Sequence, residues 1–465
     1  MNCRLLIIAL PAFALGACNL APKYVQPEAP VPPALPQGPA YPALTSGDSA
    51  VDALGWRAFF TDSRLQQVIA QSLTENRDLR VAVANVERAR ALYRVNRAAL
   101  FPVVNGSATL SAVQGTAGSV TDNFLVQAGS SAYEIDLFGR LRNQSASAFQ
   151  TYLATDEGRK STQIALVAET ASAWLTYAAT ADGLRIAQET LVSRRETVTV
   201  NTRREANGIG TKLEVATATT ALNTAQAAVA DFTTSLAQAR NALDLLAGGP
   251  VSVDLLPTTL GAGDQTLSAL PAGLSSEVLL RRPDVLAAEH NLRATYADIG
   301  AARAAFFPTI SLTGLFGFAS RGLTAIFDNG DFQKTLSGTA RQRLFDGGAT
   351  ANNLAAAKAS RDAALASYEG TIQTAFREVA DALAQRGTID DRVTAQVSLE
   401  ANAATAYRLS TARYDAGIAN YLEPLDAQRT FYNARQSLVS ARLVKAANMV
   451  ELYRTLGGGL LESSP

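Results

Sequence analysis

One histidine, two cysteines, two methionines and two tryptophans in 465 residues leave few groups for chemistry. A single His290 cannot build a histidine zinc site or an HExxH protease. Cys3 and Cys18 both precede residue 20, so the rest of the chain has no disulfide framework, CxxC redox pair or cysteine metal site. The methionines, Met1 and Met449, form no cluster that would suggest copper handling. Charge of one sign is also missing: 41 Lys and Arg face 41 Asp and Glu, without the basic excess of a nucleic-acid binder. No GxSxG or GxxxxGK[ST] occurs, and the GxG at Gly208–Gly210 and at Gly261–Gly263 does not extend to GxGxxG. After residue 17 no apolar run is long enough for a transmembrane helix. No catalytic residue, no metal site and no cofactor is expected, save a covalent lipid. Glu289-His290, beside Arg293, is expected on a solvated helix face.

The two cysteines belong to an export signal. Arg4, the apolar run Leu5 to Leu15 and then Leu15-Gly16-Ala17-Cys18 form a lipoprotein box, so residues 1–17 are expected to be removed and Cys18 acylated. Several acyl chains, each gaining about 0.8 kcal/mol per buried CH₂, would hold firmly. Asn19 follows, not the aspartate that favours inner-membrane retention, which points to the outer membrane. Residues 18–60 are expected to form a lipidated tether, extended because Pro22, Pro27, Pro30, Pro32, Pro33 and Pro36 interrupt it.

Beyond the tether the chain repeats itself. Asp78 to Pro102 recurs at Asp284 to Pro308, offset 206, with Arg97-Ala98-Ala99 echoed by Arg303-Ala304-Ala305. Leu137-Phe138 recurs at Leu344-Phe345, and Arg204-x-x-x-Gly208-Ile209-x-x-x-Leu213-Glu214 recurs at Arg413-x-x-x-Gly417-Ile418-x-x-x-Leu422-Glu423. Three echoes in one order make two copies of one unit: repeat 1 over 61–248 and repeat 2 over 277–460, with a linker at 249–276 and a tail at 461–465.

Each unit opens with a helix of about 25 to 40 residues that stops at a proline. Two segments of period-two alternation follow, predicting hairpins over about 103–138 and 309–345. Then come proline-free helical stretches from Arg140 to about Asn207 and from Ala349 to about Ala416. About 68 residues at 1.5 Å rise give a rod of roughly 100 Å. Glycine turns at Gly208 and Gly417 reverse each rod. Alanines such as Ala165, Ala168, Ala355 and Ala359 permit close packing of the rods. Two hairpins give four strands, whereas a bacterial membrane barrel needs at least eight. Open edges in lipid leave backbone groups unpaired, so strands that enter a bilayer require an oligomer, of eight strands from two copies or twelve from three. A structural or adhesive periplasmic lipoprotein with long helices is the competing class.

Tyr133-Glu134-Ile135-Asp136-Leu137-Phe138-Gly139-Arg140, Leu280-Arg281-Arg282-Pro283-Asp284 and Ala304-Ala305-Phe306-Phe307-Pro308 resemble the outer-membrane factors of the TolC/OprM type, in their lipoprotein NodT-like branch. So do Arg413-Tyr414-Asp415-Ala416-Gly417 and Leu425-Asp426-Ala427-Gln428-Arg429. The resemblance covers Cys18 to about Leu460; Leu460 itself stands where many relatives have tryptophan. It implies a mostly α chain with membrane β: a homotrimer with a twelve-stranded β-barrel, four strands per chain, continuous with a long α-helical barrel. The implied function is passive, non-enzymatic exit of drugs or other solutes through the outer membrane of a Gram-negative cell. The implied partners are a periplasmic adaptor and an inner-membrane transporter, of the resistance–nodulation–division type. A protein-secretion or metal-efflux duct is the alternative within the class.

The helix-reversing turns must lie at the rod end farthest from the strands, where a resting duct has to be shut. Beyond the second turn Leu422, Asp426 and Arg429 share one helix face by their spacing, with Tyr414 and Asn420 close by. The resemblance implies that Leu422 and Asp426 narrow the aperture and that Asp426, Arg429 and Tyr414 help tie neighbouring helices. A solvated ion pair of Asp426 with Arg429 is the plain reading of the spacing.

Overall fold

The computed structural model describes residues 19–42, 54–114, 120–261, 267, 276–324, 326 and 331–462. Its helices are α1 (Trp56–Phe59), α2 (Ser63–Glu75), α3 (Arg77–Ala98), α4 (Arg140–Ala206), α5 (Lys212–Leu246), α6 (Pro283–Ala304), α7 (Ala349–Asp415) and α8 (Leu422–Thr455). The strands are β1 (Asn105–Gln114), β2 (Val120–Ile135), β3 (Thr309–Ser320) and β4 (Asp331–Arg341). The repeat is visible in the elements themselves. Helices α3 and α6 are both 22 residues long, and α4 and α7 both 67. No described helix is long and apolar enough to cross a membrane.

Each long helix ends in the same way. At the end of α4, Ile209 N donates to Arg204 O and Gly208 N to Glu205 O; at the end of α7, Ile418 N donates to Arg413 O and Gly417 N to Tyr414 O. These are Schellman closures, which need a left-handed residue after the helix. Gly208 at φ +74° and Gly417 at φ +75° supply it without a Cβ penalty. Helices α5 and α8 close identically at Gly248 and Gly457.

Several expectations need correction. The opening helix of repeat 1 is two helices, because Asn76 takes an extended conformation (φ −60°, ψ 135°). Its Nδ2 donates to Leu246 O at 3.0 Å and its Oδ1 accepts from Leu79 N at 3.0 Å, so one buried side chain ends α2 and caps α3. The second strands stop at Ile135 and Arg341, before Leu137-Phe138 and Leu344-Phe345. The following aspartates explain this: Asp136 accepts from Arg142 N and Asp346 from Thr350 N, both at 2.9 Å, capping the starts of the long helices. The Thr350 hydroxyl and N–H, first among the causes, hold the Asp346 carboxyl below its usual range. Finally, the tether ends before residue 60. Trp56, Phe59 and Phe60 are buried, and Phe59 stacks on Tyr453 at 4.1 Å.

The chain divides into two compact units. The first comprises residues 1–28, 84–156 and 287–370 and holds the sheet, an antiparallel array in the order β1-β2-β3-β4. Strands β2 and β3 join the two hairpins, leaving β1 and β4 as edges. Residues opposite one another share a face. Leu110 pairs with Phe124, Val126 with Phe318, Phe318 with Phe332 and Gly314 with Leu336, so one face is apolar. Asp122 and Lys334, near the hairpin ends, interrupt it. The other face carries Thr109, Ser111, Gln127, Thr335, Ser337 and Thr339, with Val113, Leu125 and Leu315 as exceptions. A bulge between Ser130 and Tyr133 inserts one residue, Ala132 at φ +56°, whose N–H donates to Thr313 Oγ1. The extra residue keeps Tyr133 and Ile135 on the apolar face.

Also in the first unit, Leu20 to Tyr24 is docked on α6. Tyr24 OH donates to Glu289 Oε1 at 2.9 Å, Arg293 lies 4.7 Å over the Tyr24 ring, and Arg303 Nη1 donates to Leu20 O at 3.0 Å. Ala21 sits against Gly300, where any Cβ would meet it at 2.8 Å. The expected solvated face is therefore a contact: Glu289 is buried, and His290 bonds Gln150 at 2.7 Å. Burial first, then the Glu289 carboxylate, push the Tyr24 phenol well above its ordinary range.

The second unit comprises 29–83, 157–286 and 371–465. Its expected linker is partly structured: Leu255 O accepts from Trp174 Nε1 at 3.0 Å, and Asp182 accepts from Thr259 Oγ1 and Leu260 N at 2.9 Å. The Arg-Arg-Pro-Asp motif is a buried junction. Arg282 bonds Asp284 at 2.6 Å, Glu378 of α7 at 2.9 Å and Thr455 O of α8 at 3.0 Å, satisfying a cation that would otherwise be costly to bury.

Candidate functional site

The helix tips of the second unit carry the residues singled out for a gate. Each tip is a long helix, a Schellman closure and a returning helix, but the returns differ. Before α5, Thr211 and Glu214 form a reciprocal capping box, with Thr211 N to Glu214 Oε2 at 2.7 Å. Before α8 no capping box forms; Asn420 Oδ1 accepts from Leu422 N at 3.0 Å and Tyr421 offers no side-chain cap. Arg413 spans this turn to Glu423 at 3.6 Å. The second tip thus lacks the reciprocal side-chain cap of the first.

Its tie to the rest of the unit runs through Tyr414. Tyr414 OH donates to Asn201 Oδ1 at 2.7 Å, a buried bond from α7 to α4. Tyr414 also packs on Tyr421 at 5.8 Å and on Ala218, with Val198 and Leu425 alongside. The Arg204 guanidinium lies 5.1 Å over the Tyr414 ring. Burial pushes the Tyr414 phenol up, so it remains a neutral donor near neutral pH. Farther along α8, Gln428 Nε2 donates to Ser193 Oγ at 2.9 Å. Arg435 reaches Glu189 at 2.7 Å. Burial alone would raise the Glu189 carboxyl, but Arg435 and Arg185 outweigh it and leave it below its usual range.

Asp426 and Arg429 do pair, at 2.7 Å, within α8. Both are open, with side chains 68% and 73% exposed, so the bond contributes at most about 0.5 kcal/mol to folding. Leu422, on the same side of α8, is 62% exposed. Tyr414 does not join this pair; its hydroxyl is committed to Asn201. Cys18 lies outside the described residues. Among the described residues no group of His, Cys, Asp and Glu could hold a metal ion. Sequence reasoning missed Asn201, Arg204, Ser193 and Gln428, which sit in polar runs whose helical spacing does not distinguish a buried partner from a solvated one.

This geometry can be set beside known proteins. The model of the family described as outer membrane efflux protein matches residues 68–249 and 274–458, one segment for each repeat. The chain belongs to the outer membrane efflux protein family. It is 42% identical over 472 residues to the probable efflux pump outer membrane protein TtgC of Pseudomonas putida, covering 100% of this chain and 97% of that one. To the outer membrane protein OprJ of Pseudomonas aeruginosa it is 39% identical, covering 97% and 95%. Among solved structures it is similar to the open state of the MtrE outer membrane channel of Neisseria gonorrhoeae, with TM-score 0.88 and 36% identity over 96% of this chain and 100% of that one. This efflux channel is a transport protein of the outer membrane, not an enzyme. Its fold is that of the family, a trimeric barrel of twelve strands, four from each chain, with a long α-helical barrel.

Proposed function

We propose that this channel is the exit duct of a tripartite efflux system for drugs or other small solutes, joined through a periplasmic adaptor to a resistance–nodulation–division pump. The observation that carries the membrane part is the sheet. It has one apolar and one polar face and two open edges, so it fits a bilayer only when other copies pair those edges. The solute class is supported by relatives, which are named as antibiotic and toluene efflux pump outer membrane proteins of Pseudomonas putida. Chemical crosslinking of the detergent-solubilised protein is expected to stop at three chains. A monodisperse monomer that retains its four strands would overturn the assembly.

Lipidation of Cys18 is part of the same proposal. What supports it is the position of the next residues: Leu20 and Ala21 are fixed against Arg303 and Gly300, just before β3 begins at Thr309. The described chain thus begins close to the base of β3, where acyl chains attached just ahead of it would meet lipid. Cys18→Ser is expected to abolish incorporation of radiolabelled palmitate while trimers still form. Undiminished label in the variant would refute the anchor.

The gate reading assigns the resting closure to the second tip. Leu422 and Asp426 narrow the aperture, Arg429 holds Asp426, Asn420 caps the turn, and Tyr414 with Asn201 ties α7 to α4. Three copies of Asp426 would place three carboxylates around the lumen, favouring cations.

A further inference from the structure

The second unit contains a cavity of about 730 Å³ walled by α4, α5 and α8, within the size range of small-molecule sites. Its walls are unequal. Along α5 they are alanine and threonine, including Ala221, Ala225, Thr220 and Thr224. The hydroxyls of Thr220 and Thr224 donate to Ala216 O and Thr220 O of their own helix, so these two offer the cavity methyls and acceptors rather than donors. On α8, Leu425 and Tyr432 add apolar surface.

The one buried cation among the lining residues is Arg194 of α4. It lines the cavity yet is only 6% exposed, and its Nη1 has no hydrogen-bond partner. Arg194 forms no ion pair among the described residues. What faces it are the hydroxyls of Tyr421 and Tyr407, and burial of Tyr421 keeps that phenol neutral. Arg429 also faces it, a second cation, but Arg429 is already bound to Asp426. Burial pulls the Arg194 guanidinium below its ordinary range, the mark of a cation without a counterion. A buried charge of this kind is costly unless something of opposite sign meets it.

We infer that the cavity is a binding site for a monoanionic amphiphile, a carboxylate or sulfonate on an aromatic or aliphatic body. The anionic group meets Arg194, and the body lies along the alanine and threonine wall of α5. Asp426 and Arg429, which also line the cavity, are paired with each other, so Arg194 is the single uncompensated charge and matches one negative group rather than two. Leu425 and Asp426 belong to α8, so an occupant touches the helix assigned to the gate; the binding site itself does not depend on that assignment.

The test is equilibrium dialysis of naphthalene-2-sulfonate and of uncharged 2-naphthylmethanol against the trimer in lipid nanodiscs. Saturable binding of the sulfonate, one per chain, is expected. Arg194→Met should weaken the sulfonate about tenfold, the value of one charge-assisted hydrogen bond, and leave the alcohol unchanged. Ala221→Phe, which fills the cavity from α5, should remove both probes even if Arg194→Met does not assemble. Absence of saturable binding in the assembled trimer, as when a neighbouring chain occupies the groove, would overturn the inference. So would unchanged sulfonate affinity in either variant.

Discussion

Replacing Asp426 and Arg429 together by alanine is expected to raise the single-channel conductance of the trimer on the order of twofold and to weaken its cation preference. The two side chains pair at 2.7 Å but stand open to solvent, so their loss removes little folding free energy. What they lose is position. Without Arg429, Asp426 is no longer held at one place on the helix face it shares with Leu422, and without Asp426 the proposed ring of three carboxylates cannot form. Tyr414 and Asn201 are untouched by the double substitution, so the tie between α7 and α4 persists and the variant should assemble normally. A correctly assembled variant with wild-type conductance and selectivity would remove the gate from this tip.

A charge on the apolar face of the sheet should have a larger effect on assembly. Leu336 sits mid-way along β4, opposite Gly314, and is 79% exposed. Leu336→Arg would set a guanidinium against lipid at a cost of about 2–4 kcal/mol at each site, paid in all three copies. The amount of folded trimer recovered from outer membranes should fall severely. Thr335→Arg, one residue away and on the polar face, should assemble and instead lower cation conductance by placing a positive charge in the lumen. Equal recovery of both variants would mean that the two faces are not lipid and water.

Much of this architecture was legible because the chain is written twice. Helices α3 and α6 begin and end at matching positions, as do α4 and α7, and their boundaries follow from glycines and prolines whose backbone demands are local. Sites decided by distant partners were not legible. The break at Asn76 depends on the carbonyl of Leu246, which no helical periodicity announces. The bulge at Ala132 shifts the alternation of β2 by one residue, so Glu134 leaves the lipid face and binds Arg140 at 2.8 Å. A proline-rich composition predicts an extended tether but not the pocket that Glu289 and Arg293 make for Tyr24. At the tip, the spacing of Leu422, Asp426 and Arg429 identified a helix face, whereas Asn201 and Arg194 emerged only once α4 was packed against α7 and α8.

The central claim is that open sheets from three chains close into one water-filled pore shut at the helix tips. Planar-bilayer recording of the purified wild-type trimer tests it most directly. Small, cation-preferring unitary currents that grow when Asp426 and Arg429 are both alanine are the predicted result. A trimer that inserts yet passes no current in either form would contradict it.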